Sequence, residues 1–220
     1  MSTELKRRYI KEESIFWIGL VLLTTVALSI GYFLMIKDSA GEGCALDMVY
    51  IITQRLVFPM LALTAGIFNM KSIRADSNSK VVMKYKTKRR LWLVQGICSC
   101  ISAFTVGAMV TLTALFNGYC IFGRFYNWES RQSFCRYTLL NEEVDYVVSM
   151  SPILIIIISW TMTSLLFLAT FLLGMLVNNI ARSFSAAIVF MVIVCGADSF
   201  VPCFYGRLNL YLLDYSSLSQ

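Results

Sequence analysis

The stretch Pro152–Val177, PILIIIISWTMTSLLFLATFLLGMLV, carries no acidic or basic side chain and has its single proline at the first position. A helix rises about 1.5 Å per residue, and about 20 apolar residues cross a hydrocarbon layer about 30 Å thick. This stretch therefore predicts a membrane-spanning helix. Four more apolar blocks of similar length lie around it: Ile15–Ile36, Met48–Phe68, Leu91–Phe116 and Phe184–Phe204. Backbone groups in lipid must be paired within their own segment or in a closed barrel. Long continuous apolar runs mean helices, because a barrel shows short alternating segments. The composition agrees, with 58% hydrophobic residues and 15% charged and a mean hydropathy of +0.69, more apolar than a soluble domain of this size can hide. The expected fold class is all-α, a polytopic integral membrane helix bundle. It forms a single transmembrane domain over residues 1–220, with spans at 15–36, 48–68, 91–116, 152–177 and 184–204, a cytoplasmic basic loop at 69–90 and an outer loop at 117–151. The first apolar run is too long for a cleavable signal core, and no small-x-small site follows it in Lys37–Glu42.

Lys/Arg distribution orients the bundle. Residues Lys71–Arg90 hold Lys71, Arg74, Lys80, Lys84, Lys86, Lys88, Arg89 and Arg90 against the single acid Asp76. With the N-terminus cytoplasmic, thirteen Lys/Arg fall inside, including Lys6, Arg7, Arg8, Lys11 and Arg182, and five fall outside: Lys37, Arg124, Arg131, Arg136 and Arg207. That asymmetry follows the positive-inside rule. The net charge of +6 accordingly points to orientation and anionic lipid, with no nucleic-acid partner implied.

Two ionisable residues, Arg55 and Asp198, fall inside spans, both in the outer third by helix rise. A charge in hydrocarbon costs a few kcal/mol or more, so either an intramembrane ion pair between them or a watery cavity is expected. The pair would serve either as a gating pair or as a lock between the second and fifth spans. Pro59, four residues after Arg55, predicts a kink there. In the third span Ser99, Ala103, Gly107 and Thr111 recur every four residues, a helix-packing seam along which another helix can approach closely. The fourth span's Ser159, Thr161, Thr163, Ser164 and Thr170 are expected to bond back to their own helix carbonyls. Cys98, Cys100, Cys195 and Cys203 read as small hydrophobes. Cys44, Cys120 and Cys135 fall in outer loops. In an oxidising compartment Cys120 and Cys135 would bridge and leave Cys44 free, although spacing alone does not fix the pairing. The outer loop is rich in aromatics, among them Phe122, Phe125, Tyr126, Trp128 and Phe134. Asn141 with Glu142 and Glu143 predicts a short surface helix there. A second one, Glu4–Ser14, is expected to feed the first span.

The chain has no histidine and no G-x-x-x-x-G-K-[ST] phosphate loop. It offers no metal centre of the usual imidazole kind, and no paired nucleophile and base is identifiable, so an enzyme is disfavoured.

The layout of basic N-terminal stretch, two spans, basic cytoplasmic loop and broken hairpin resembles the membrane permease subunits of the ABC type-2 transporter family. The similarity rests on Leu165–Ser183, on Ala65-Gly66-Ile67-Phe68, and on Lys88-Arg89-Arg90 leading into Leu91. Family members usually have a sixth span after an outer re-entrant segment, whereas here the fifth is followed by the merely mixed stretch Gly206–Gln220, a departure that leaves the expected count at five or six. The resemblance implies a bacterial plasma membrane and export of an unidentified substrate, with a second permease copy or paralogue as dimer partner. A separate ATP-binding cassette ATPase subunit would be docked, so that ATP is bound on the partner and no cofactor on this chain. The coupling helix that docks the ATPase would lie in the basic loop, capped by Ser77, Asn78 or Ser79, with Val81, Val82, Met83 and Tyr85 as its apolar contacts. The alternative is a small membrane immunity or sensory protein that binds a peptide through its aromatic outer loop.

Overall fold

The computed structural model describes residues 3–35, 42–52, 57–76, 88–130, 133–134, 151–181 and 183–200; within these, side chains are described except at 3–15, 33–35, 58, 72–76, 88, 90 and 195–200. The chain is all-helical over these residues: α1 (Thr3–Met35), α2 (Ala45–Ile52), α3 (Val57–Asp76), α4 (Lys88–Phe122), α5 (Pro152–Ala181) and α6 (Phe184–Phe200). The segments Leu91–Phe122 and Pro152–Ala181 are long and apolar enough to cross a membrane; α1 and α6 contain the shorter apolar runs Phe16–Tyr32 and Phe184–Val194.

The helix boundaries follow local chemistry. Pro152 stands at the first helical position of α5, where its missing N–H costs nothing, and the Ser151 carbonyl accepts from Leu154 and Ile155. The Ser183 hydroxyl accepts from the Ala186 N–H at 3.4 Å and caps α6, which permits the tight turn after α5. α4 ends at Gly123, whose φ of 64° lies in the left-handed region and whose N–H bonds the Tyr119 carbonyl at 2.9 Å. Gly123→Ala is expected to lose about 1–2 kcal/mol, read as a lower unfolding midpoint of the purified chain. Pro59 lies in the first turn of α3; residues 53–56, between Ile52 of α2 and Val57 of α3, lie outside the described residues, as does the kink expected beside Arg55. α3 also runs to Asp76 and α4 to Phe122, consuming parts of both expected loops. α1 begins at Thr3, so Glu4–Ser14 continues directly into the first apolar run.

Side-chain contacts fix the directions. Phe16 stacks on Phe68, whereas Tyr32, in the last turn of α1, meets Phe122 at the end of α4. Leu115 packs with Ile155, Gly107 faces Ser164, and Gly174 lies against Met70 and Met191. Successive long helices therefore alternate up and down. The start of α1, the end of α3, the start of α4, the end of α5 and the start of α6 share one end, the basic end. The end of α1, the end of α4 and the start of α5 share the other.

α4 and α5 form the broadest helix pair, and α4 also packs on α1 and α2 while α6 sits against α3 and α5. The core joins Leu20 and Leu28 of α1, Met48 and Ile52 of α2, Leu61 and Ala65 of α3, Ala103 and Val110 of α4, and Phe167 and Phe171 of α5. Polar residues are buried beside them: Thr24, Asn69, Gln95, Ser99, Thr111, Thr163, Ser164 and Thr170. The exposed faces, by contrast, present Leu22, Val26, Ile97, Ile101, Leu112, Ile153, Ile157, Leu176, Ile180 and Ile193.

Candidate functional site at the capped end

Opposite the basic end, the segment Glu42–Asp47 is stitched to the segment Phe122–Phe134. Asp47 is the third residue of α2 and lies just before the apolar block 48–68. Its Oδ2 accepts from the Cys44 N–H at 2.7 Å, reaching back over the helix start as the acidic half of a capping box. Its Oδ1 accepts from the Trp128 indole N–H, also at 2.7 Å, across 81 positions of sequence. Around this centre the Ala45 N–H bonds the Arg124 carbonyl and the Phe134 N–H bonds the Glu42 carbonyl, each at 3.0 Å. The Asn127 amide adds a bond to the same Glu42 carbonyl at 2.7 Å. Arg124 and Glu42 form an exposed ion pair on top, worth little in water. Glu42 and Ser133 form an isolated parallel bridge.

The carboxylate itself is 1% exposed and Trp128 5%. Cys44, Leu46, Trp128 and Ile155, with Leu115, Tyr126 and Ile156 at the edge, enclose it in apolar surface. Burial pushes the Asp47 carboxyl up from 3.8 to about 6, against the lowering effect of its bonds from Cys44 and Trp128. Burial, with the charge of Asp47 next, pushes the Cys44 thiol up to about 12. Such a thiol stays protonated near neutral pH and is a poor nucleophile. The cluster is thus built to hold two chain segments together. No group of three or more potential metal-ligating side chains occurs among the described residues.

A second polar feature runs through the bundle. Ser99 and Ala103 are fully buried, Gly107 is buried, and Thr111 is 2% exposed. Ser99 shares a hydrogen bond with Asn69 of α3 at 3.2 Å, and a Cβ on Gly107 would run into Ser164 of α5. The fourth apolar block's hydroxyls divide. Thr161 and Thr170 bond back to the carbonyls of Ile157 and Leu166, whereas the oxygens of Thr163 and Ser164, like Thr111 Oγ1 and Gln95 Nε2 of α4, are buried with no partner among the described residues. Trp160 instead donates across the helix pair to the Phe104 carbonyl at 3.2 Å.

Among the other expected site residues, Arg55, Val81, Val82, Met83, Tyr85, Cys135 and Glu142–Met150 lie outside the described residues. Asp198 lies on α6, with its side chain outside them. Cys120 is exposed near the end of α4. Asp47 falls in the loop between the first two expected spans, 15–36 and 48–68. The signal that marks it is local: an acid three positions after Cys44, immediately before an apolar run. Its pairing with Trp128 has no local signal.

Compared with known proteins, the chain matches no family model, no curated protein and no solved structure.

Proposed function

We propose that the chain is a five-span integral membrane protein of the plasma membrane. Its N-terminus and basic end are cytoplasmic, and it acts as the permease subunit of an ABC-type exporter driven by a separate ATPase. One observation carries the membrane placement: the exposed faces of the bundle are as apolar as its core. They are lined by Leu, Ile and Val, while hydroxyl and amide groups are buried among the core's apolar side chains. A soluble monomer rarely exposes apolar surface on that scale, and helices apolar on all faces belong in lipid. The up-and-down alternation gathers the basic connections at one end. Lys88, Arg89 and Arg90 open α4 with no acid in its first turn, unfavourable by a few tenths of a kcal/mol each against the helix dipole. Helix stability does not explain that triplet; orientation does.

The permease role rests on the family resemblance and on the apolar patch Val81–Tyr85 inside the basic loop, which orientation does not require. Val82→Asp with Tyr85→Asp is expected to abolish co-purification of an ATPase from the native membrane in mild detergent. Undiminished recovery of the ATPase contradicts the docking role. A sensory or immunity protein is the second reading, favoured by the exposed Phe125 beside the Arg124–Glu42 pair on the cap. Recovery of a peptide or soluble partner dependent on Phe125, and of no ATPase, would select it.

A further inference from the structure

We propose that Asp47, held between the start of α2 and Trp128, is a proton-operated latch: it fastens residues 122–130 to the bundle in mildly acidic medium and loosens them when the carboxyl ionises. The latch is a property of the cap and stands whether or not the chain is a permease.

The geometry places one carboxyl at the centre of the contact between the two segments. Each of its oxygens meets one N–H, from Cys44 and from Trp128. The groups facing it are few. From its own segment comes the Cys44 thiol, whose pKa of about 12 keeps it protonated over the relevant range. From residues 122–130 come Trp128 and, at the edge, Tyr126; from α4 and α5 come the apolar Leu115, Ile155 and Ile156. The nearby charges, Arg124 and Glu42, are exposed and pair with one another, and Glu129 is exposed. Asp47 has no ion-pair partner among the described residues. An ionised carboxylate here has three hydrogen bonds, from the Cys44 N–H, the Cys44 thiol and the Trp128 indole, but no countercharge among the described residues, in an apolar shell, and burying a charge that way is unfavourable.

The sign follows from the direction of the shift. Burial raises the closed-state carboxyl from 3.8 to about 6. Closure gains most from the neutral acid below pH about 4, and that gain is lost as pH rises through about 6. With the open form titrating normally, the ratio of open to closed cap rises about tenfold between pH 5 and pH 7. The backbone bonds Ala45–Arg124 and Phe134–Glu42 open with the latch, so their amides report it.

Amide hydrogen exchange of the full chain in detergent, corrected for the intrinsic pH dependence of exchange, tests this. Peptides covering 42–47 and 122–134 are followed, with α5 as reference. In the unmodified chain, exchange of the two cap peptides is expected to accelerate about tenfold from pH 5 to pH 7 while α5 stays flat. In Asp47→Asn the acceleration should vanish. Flat cap peptides in the unmodified chain, or an undiminished acceleration in Asp47→Asn, overturn the latch. Should Asp47→Asn also lose protection in α5, Trp128→Phe decides. Removing the indole donor raises the carboxyl's pKa, so the acceleration should move to higher pH; an unmoved midpoint overturns the proposal.

Discussion

Gly107→Leu is expected to separate α4 from α5 and to produce one of the two largest losses of stability of any single substitution considered for this chain. A Cβ at position 107 would overlap the Ser164 hydroxyl and lie 3.1 Å from the Ser164 Cα. The hydroxyl can rotate away, but the Cα belongs to the α5 backbone and cannot yield without moving that helix. The remaining leucine atoms would have to enter the same seam, where Ser164 and Thr163 are fully buried. Overpacking of this kind costs about 1–3 kcal/mol and occasionally more. The upper part of that range is expected, because α4–α5 is the broadest pair in the bundle. Gly96→Leu is the matched control: the same helix, the same chemistry, and nothing within 4 Å of the new Cβ. Thermal unfolding of the two variants in one detergent should leave Gly96→Leu within about 1 kcal/mol of the parent, on the favourable side by helix propensity. Equal midpoints for both would contradict the seam geometry.

Trp128→Ala is expected to free residues 122–130 while leaving the α4–α5 pair intact. The indole is almost wholly buried against Leu46 and Ile155. Its deletion costs about 3–5 kcal/mol of local packing, as for other buried aromatic-to-alanine changes. It also leaves Asp47 Oδ1 without the donor that now meets it at 2.7 Å. Trp128→Phe keeps much of the packing and loses only the N–H, so it should cost less, about 0.5–1.5 kcal/mol where the carboxyl is neutral and about 1.5–3 kcal/mol where it is ionised. Limited proteolysis within 122–134 reads both: rapid cleavage in the alanine variant, slower in phenylalanine, slowest in the parent. Cleavage of the alanine variant at the parent's rate would show that Trp128 does not anchor the cap.

The apolar blocks were legible because membrane-length runs such as Pro152–Val177 need no partner to be recognised. Their ends were less so. Phe122, six positions past the expected end of its span, is helical because Asn117 and Tyr119 still favour the turn: the Asn117 amide donates to the Thr113 carbonyl at 2.9 Å and reaches Thr25 of α1 at 3.3 Å. Only Gly123 stops the helix. The four-residue spacing of Ser99, Ala103, Gly107 and Thr111 placed them on one helix face. Which helix meets that face is decided by tertiary packing that no spacing within α4 encodes. Asp47 is the clearest case of a residue hidden by its setting. Its capping position is local and readable. Its burial depends on Trp128, Ile155 and Leu115, from three other parts of the chain.

The central claim is that the basic end and the cap lie on opposite sides of a membrane, and sidedness of single cysteines measures it directly. In a cysteine-free background, Ser79→Cys in the basic loop and Ser130→Cys in the cap are each treated in intact expressing cells with a membrane-impermeant maleimide, before and after permeabilisation. Labelling of Ser130→Cys in intact cells, with Ser79→Cys labelled only after permeabilisation, is the predicted result. Labelling of both positions from the same side would contradict it.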